Sequence, residues 1–389
     1  MSFFVEFHLI QNFAPSNLNR DDTGAPKDAL FGGHRRARVS SQCFKRAIRL
    51  QARAVGAVAM SDSGVRTKKL LGLLTDRLNA MGHDDATEAE PRIELALGAA
   101  GLKLGDDGKT EYLLFLGQRE IDGFAALIHE HWDDLIVATT DVGKPKKSKR
   151  ESKADAPDAV KKKAQKLLDG GKAVDVALFG RMLADLPEAN QHAACQVAHA
   201  LSTHRVEREF DYFTAVDDLG AADETGAGMI GQVEFNSATF YRYAVLDTDK
   251  LVENLQGDND LTLAGTTAFA DALARAIPTG KQNTFAAHNQ PAFVGVAIRR
   301  GSPFNLANAF ENPVWPDRYK ALTTQSVEAL AAHEKQLAGF YGDARDTWAF
   351  IDLTGAWPQD LGESQTSLAE LTAWVGRQVA AHLGVAAES

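Results

Sequence analysis

The 389-residue sequence has only two cysteines, Cys43 and Cys195. Two thiols make neither a disulfide framework nor a four-ligand zinc site, so both are expected to be reduced and buried. No apolar run is long enough to span a bilayer. The start, Met1-Ser2-Phe3-Phe4-Val5-Glu6-Phe7-His8, is apolar but carries Glu6 and has no basic lead, which reads as a strand and not as a signal peptide. A cytoplasmic protein without a membrane partner is expected. There is no glycine-rich loop of the Walker or dinucleotide type. His199 and His204 are five apart, which does not set both rings on one helical face as a zinc pair requires. Asp21-Asp22 and Asp217-Asp218 could hold a divalent ion, but adjacent loop acids more often cap turns or stay solvated. No catalytic constellation, metal or cofactor is expected. Positive charge is also short overall: 42 Lys and Arg face 52 Asp and Glu, a net charge of −10. That argues against loose coating of DNA and leaves a local basic groove open, since the field depends on where charges sit. A 44% hydrophobic content excludes wholesale disorder, and the length allows two or three domains, or one domain with large insertions.

The scarce positive charge is concentrated. The first 53 residues hold nine bases against four acids. Most lie in Gly32-Gly33-His34-Arg35-Arg36-Ala37-Arg38-Val39-Ser40-Ser41-Gln42-Cys43-Phe44-Lys45-Arg46-Ala47-Ile48-Arg49, which reads as a glycine turn, a basic strand and a helix. Ser40 or Ser41 can cap that helix. Gln42, Lys45, Arg46, Arg49 and Arg53 recur at spacings of three and four and share one face, while Cys43, Phe44, Ala47 and Ile48 turn inward. Free first-turn amides and the helix dipole favour an anion. Cationic faces are often merely solvated, but one that continues a basic strand favours a nucleic-acid backbone. His34 beside Arg35 and Arg36 reads as a phosphate contact; an RNA-cleaving base is the alternative. Arg20, next to Asp21 and Asp22, is either a local ion pair or a phosphate contact.

Along the chain, residues 3–11 alternate as a half-buried strand with Val5, Phe7 and Leu9 on one face. The long polar loop 12–33 suggests function. Residues 60–140 are mainly helical, with a short strand at 111–116. A basic loop at 144–150 and a helix carrying Lys161, Lys162, Lys163 and Lys166 follow, either solvated or a weak grip on a second nucleic-acid strand. Val174 to Met182 reads as a strand, and 183–231 as an irregular, protruding hairpin or loop. A strand at 233–246, helices at 248–255 and 261–276, a strand at 293–298, and helices near 325–340 and 366–384 complete the chain. The reduced core is βαββαβ, an α+β ferredoxin-like (RRM-like) sheet with two insertions. Such sheets commonly present RNA-stacking surfaces.

Several stretches carry a resemblance. They are Asn17-Leu-Asn-Arg-Asp-Asp22, the run from Asp28 to Gln42, Lys45-Arg46-Ala47, Val176-Ala-Leu-Phe-Gly-Arg-Met182 and Phe213-Thr-Ala-Val-Asp-Asp-Leu219. Phe240-Tyr-Arg-Tyr-Ala244, Lys281-Gln-Asn-Thr-Phe-Ala-Ala287 and Leu306-Ala-Asn-Ala-Phe-Glu311 join them. With these the chain resembles the CasC family, the backbone subunit of the type I-E CRISPR surveillance complex Cascade. The resemblance implies a non-enzymatic, hand-shaped subunit that stacks in several copies as a filament along one CRISPR RNA (crRNA), with other Cascade subunits, in antiviral defence. It implies a palm at 1–56, 174–182 and 232–389, helical fingers at 57–173 and a thumb at 183–231. It further implies guide-backbone contacts at Arg20, Ser40, Gln42, Lys45, Arg49 and Lys281, with Arg46, His34 and Arg35 in the same basic strip. Met182 and Phe213 are implied to wedge against bases. Lys161, Lys162, Lys163 and Lys166 are implied to touch target DNA. A subunit that serves every guide must read phosphate and shape and leave base identity to Watson–Crick pairing.

Overall fold

The strand β1, Phe4–Ser16, is the spine on which the sheet is laid. The computed structural model describes residues 2–135, 156–215 and 229–386. The chain divides into two compact units, one of residues 1–57, 195–249 and 263–389, the other of 58–194 and 250–262. The basic loop at 144–150 and the pair Asp217-Asp218 lie outside the described residues.

In chain order, β1 is followed by β2 (Asp28–Phe31), β3 (His34–Val39) and α1 (Ser41–Ala54). The second unit then supplies β4 (Gly64–Thr67), α2 (Leu70–Ala80), α3 (Ala86–Ala99), β5 (Leu114–Gly117), α4 (Gln118–Glu130), α5 (Asp158–Lys166) and α6 (Val174–Phe179). After these come β6 (Cys195–Val197), β7 (Ala200–Ser202), β8 (Glu209–Ala215), β9 (Met229–Asp247), α7 (Thr248–Asn254) and α8 (Asn259–Arg275). The last elements are α9 (Gln282–Phe285), β10 (Phe293–Arg299), α10 (Leu322–Tyr341), β11 (Thr347–Asp352), β12 (Glu363–Ser364) and α11 (Leu368–Leu383).

The first unit is built on one mixed sheet in the order β12-β11-β10-β1-β9-β7-β3-β2, with β6 and β8 also pairing with β9. β1 runs antiparallel to both neighbours, so that Phe7 stands opposite Val296 on one side and Ala244 on the other. On one face of the sheet, α8, α11 and α1 pack near β1 and β9. Phe7 meets Phe269 edge-on at 5.4 Å, and Phe3 stacks on His382 at 4.2 Å. Arg242 of β9 lies over the Phe44 ring at 4.2 Å and donates to the Leu273 carbonyl at 2.6 Å.

The other face is buried too, contrary to the half-buried alternation expected for residues 3–11. Glu6 and His8 are fully buried there, because α10 packs Val327, Leu330 and Ala331 against Ile10, Tyr241, Tyr243 and Trp348. The polar groups survive burial by pairing. Glu6 accepts from the Tyr243 hydroxyl and from Arg299 Nε, both at 2.8 Å. Arg299 also donates to both oxygens of Glu334 on α10 at 2.8 Å. Burial pushes the Glu6 carboxyl up, but His8 and the Arg299 guanidinium outweigh it and hold the group below its usual range.

The stretch 174–182, expected as a strand, is no part of this sheet. Residues 174–179 form the helix α6, in the second unit. Val174, Val176, Ala177 and Leu178 are all buried, and a run that apolar carries no period by which to tell helix from strand. Asp175 in the first turn accepts from the Gly64 amide at 2.6 Å, and Gly180 at φ +77° ends the helix. The strand position beside β9 is filled by β6 and β7, from a stretch expected to be irregular. The loop expected at 12–33 is shorter, since β1 runs on to Ser16 and β2 takes Asp28–Phe31, while the other expected helices and strands occur within a few residues of their bounds.

The second unit is mainly helical. Its core joins Leu70, Leu74 and Leu78 of α2, Ile93 and Leu97 of α3, Ile121, Phe124 and Ile128 of α4, and Val160 of α5. Cys195 is buried as expected, and burial pushes its thiol up to about 12. Cys43 is only half-buried, since it borders an open cleft. Among the described residues, no helix is long and apolar enough to cross a membrane.

Candidate nucleic-acid interface

The helix α1 begins where the sequence places it. Ser40 is its N-cap, and its Oγ accepts from the Cys43 amide at 3.3 Å. No acid occupies the first turn, and Phe44, Ala47 and Ile48 are buried on the inner side. Gln42 and Arg46 are exposed, with Lys45, Arg49 and Arg53 half-exposed on the same side. The expected cationic face is therefore outward. The anion seat at the helix head is smaller than expected, because the Ser40 amide is already bound to Asn19 Oδ1 at 2.9 Å.

That bond ties the helix to the loop 17–27. Asn19 also accepts from the Lys27 amide at 2.9 Å. Asn17, fully buried, donates to the Gly24 carbonyl at 3.0 Å and to Glu234 of β9 at 2.9 Å. Asp21 does not turn to Arg20. Its Oδ1 accepts from the Thr23 hydroxyl at 2.7 Å and from the Thr23 and Ala25 amides at 2.9 and 3.0 Å. The Thr23 hydrogen bond foremost holds Asp21 below its usual range. Arg20 is left exposed at the rim of a cleft of about 480 Å³, lined also by Asn19, Asp22, Cys43, Arg46 and Thr279.

Gly280 closes the cleft from the far side. A Cβ there would fall 2.3 Å from the Leu18 carbonyl oxygen, so the two chain segments touch only because position 280 is glycine. The next residue, Lys281, adopts φ +50°, a left-handed conformation costly for a side-chain-bearing residue. Arg20 and Arg46 are thereby brought to one opening from separate chain segments, with Arg46 Nη1 3.5 Å from the Thr279 hydroxyl on a third, while Lys281 follows the lining Gly280 in sequence.

The strand end of the basic stretch is organised differently. Arg36 is buried and donates to the Ser202, Phe310 and Glu311 carbonyls at 3.1, 2.7 and 3.2 Å. Gly32, at φ +56°, lies so close to the Glu311 carbonyl that a Cβ would overlap it at 1.8 Å. These contacts fix the turn that carries His34 and Arg35. His34 stands edge-on to exposed Trp315 at 5.9 Å. Arg35 is exposed but paired with Asp28, whose other partner is Arg208 at 2.8 Å. Burial raises the Asp28 carboxyl, and the two guanidinium groups more than reverse it, leaving it lowered.

Phe213 lies on β8, in the exposed hairpin with β9, and its ring covers Gly231 across the strand pair. Phe210 and Tyr212, on the opposite face of β8, are more exposed still, at 59% and 65% against 38%. Met182 and the four lysines belong to the second unit. Met182 is 80% exposed. Lys162 and Lys166 are exposed and Lys161 half-exposed, while Lys163 is engaged by Glu130 at 2.8 Å and His131 at 3.2 Å.

Sequence reasoning missed Asn17, Asn19, Gly280, Arg208, Phe210 and Tyr212. The Asn-Leu-Asn spacing was visible, and buried asparagine in a loop is a common backbone staple. Gly280 and Arg208 act through distant partners and leave no local signal.

The model of the CT1975-like protein family matches residues 5–374, and the chain belongs to that family. No curated protein matches it. Among solved structures it is similar to a chain of a "CRISPR RNA-guided surveillance complex, pre-nicking", with 32% identity, a TM-score of 0.83, and coverage of 97% of this chain and 100% of that one. A second similar chain comes from a "CRISPR RNA-guided surveillance complex", with 27% identity, a TM-score of 0.72, and coverage of 96% and 99%.

Proposed function

We propose that this protein is a crRNA-binding, filament-forming backbone subunit of a type I-E Cascade surveillance complex, without catalytic activity of its own. The observation that carries the reading is the pairing of Arg20 and Arg46 from separate segments around one cleft, continuous with the outward cationic face of α1. Such an array grips a ribose-phosphate track without reading bases. The order β10-β1-β9-β7, antiparallel throughout and backed by α1 and α8, supports an RRM-like palm whose second strand comes from 195–202. In this reading the second unit is the fingers and the β8–β9 hairpin the thumb. Copies of the subunit stack along the guide beside other Cascade subunits, and Lys161, Lys162 and Lys166 face target DNA. The family match and the titles of the similar structures support the complex.

The test is binding of a guide-length RNA against salt. Each lost phosphate contact lowers the log–log salt slope by about 0.7 for a single strand. Lys45→Ala/Arg49→Ala is expected to weaken binding and flatten that slope by about 1.4. Unchanged affinity and slope would remove the strip from the RNA site. Incubation with precursor CRISPR RNA is expected to leave it intact; discrete cleavage products would favour an endonuclease using His34.

A further inference from the structure

His83 and His129 stand 46 positions apart and carry no metal-ligand spacing in the sequence. The fold brings them together inside the second unit. His83 lies in the turn after α2 and His129 in the last turn of α4, with His83 Nε2 2.8 Å from His129 Nδ1. The backbone of His129 is held by α4. The His83 amide donates to the Leu78 carbonyl at 3.0 Å, and its imidazole stacks on Trp132 at 3.6 Å with 15° between the planes. Trp132 is fixed in turn by Arg92, whose guanidinium lies over the indole at 4.4 Å and whose Nε donates to the Trp132 carbonyl at 2.9 Å. The pair stays open to solvent, since His129 is exposed and His83 half-buried.

Without a metal, one ring donates its N–H to the other, so a single proton serves two nitrogens. An ion in that proton's place takes a lone pair from each ring. Two imidazoles bound side by side at about 2.0 Å and a right angle have their nitrogens about 2.8 Å apart, whereas tetrahedral binding sets them about 3.3 Å apart. The separation found is that of a tetragonal copper(II) or nickel(II) ion, while zinc(II) requires the rings to part. The charge around the pair is mixed: Asp133 and Asp84 act on His83 in favour of a cation, and Arg92 opposes one. Among the described residues no group of three or more His, Cys, Asp or Glu is arranged for a metal ion, so the other coordination positions belong to water. We infer that His83 and His129 form a two-imidazole, solvent-open site for a divalent copper or nickel ion, which ties the turn after α2 to the end of α4.

Copper(II) chloride is titrated into the full chain after metal has been stripped with a chelator. The first ion bound is expected to show a two-nitrogen electron paramagnetic resonance spectrum and to quench Trp132, on whose face the His83 ring lies. Trp132→Phe should lose the quenched part of the emission and keep the two-nitrogen spectrum. His83→Gln and His129→Gln are each expected to weaken binding at least about tenfold, the lower end of what even an indirect partner of a metal ligand costs. The double variant should lose little more than either alone, because the two rings act as one site. His131→Gln, at a neighbouring histidine already engaged by Asp134 and Lys163, should bind copper like wild type. Thermal melts of the metal-free variants check folding, and His129→Gln, at an exposed helix position, decides the matter should His83→Gln unfold. Wild-type affinity in His129→Gln, an equal loss in His131→Gln, or a first ion held by one nitrogen would overturn the inference. The RNA-binding reading is untouched by either result, since it rests on Arg20, Arg46 and α1.

Discussion

Two basic runs among the described residues are built in opposite ways. From Gly32 to Arg53 the charges stand on a backbone fixed from beneath, by Arg36 on three carbonyls, by Gly32 against Glu311 and by Asn19 on the head of α1. In α5 the lysines stand on a nine-residue helix whose buried residues are only Val160 and Ala164, and one of the four is spent on Glu130 and His131. A row of charges becomes a site when buried contacts decide where each one stands. Without them it is a loose row of charge that offers at most a weak, sequence-blind grip, and its ion pairs are worth little.

The sharpest way to break this comparison is to cut the mount of the first run. Arg36→Met leaves the buried Ser202 and Phe310 carbonyls and the part-buried Glu311 carbonyl without their donor, each buried one costing about 1–3 kcal/mol. A destabilisation of about 3 kcal/mol or more is expected in chemical denaturation, with loss of RNA binding although no outward charge has changed. An Arg36→Met protein that unfolds and binds like wild type would show that the turn needs no anchor. Second in size is Arg20→Ala/Arg46→Ala, which leaves the mount intact and removes charge from the cleft rim. It should flatten the RNA salt slope by about 1.4, while Lys162→Ala/Lys166→Ala leaves that slope unchanged. Equal effects from the two pairs would erase the distinction between the runs.

How much of this could be read beforehand follows from the same contrast. The face of α1 was legible because Phe44, Ala47 and Ile48 alternate with Lys45, Arg46 and Arg49 at helical spacing, and period alone fixes which side is out. The misreading of Val174–Phe179 has the complementary cause: a segment apolar at nearly every position shows no period, and its burial between elements decided its state. The second buried face of β1 was hidden because Glu6 and His8 look like solvent residues. Their partners Arg299, Tyr243 and Tyr241 lie hundreds of positions away, where pairing leaves no trace in the local pattern. The cleft was half legible. Arg20 and Arg46 were singled out by charge, but the opening between them depends on Gly280 against Leu18, a contact between segments that no local rule anticipates.

A third, smaller test concerns the staple between loop and helix. Asn19→Ala removes the acceptor for the Ser40 amide and costs about 1 kcal/mol, the usual size of a lost cap. RNA affinity should fall with it, because the cleft rim and the head of α1 are then no longer tied. Asn19→Asp keeps the acceptor and should recover stability, while its added negative charge keeps RNA binding weak. Equal recovery of both properties would mean that the loop acts only through its position.

The smallest effect is expected at Asp28, and its sign can be fixed. Arg35 and Arg208 hold this carboxyl below the ordinary aspartate value of 3.8, against the upward push of burial. A lowered folded-state value means that the unfolded chain takes up the proton first as the solution is acidified. The pairing therefore stabilises the fold at full strength above the ordinary aspartate range and is lost as pH falls through the lower, folded value. Because Arg35 is largely exposed, the contribution is under about 1 kcal/mol. Asp28→Asn should thus melt slightly earlier than wild type at pH 7 and converge with it as pH falls through the lowered folded-state value of Asp28, a difference read from paired thermal melts on a falling pH series. The same substitution frees Arg35 at neutral pH, so RNA should bind marginally tighter to it. Weaker binding by Asp28→Asn would show instead that the pair sets the direction of Arg35, making the carboxylate part of the mount and not a competitor for the charge.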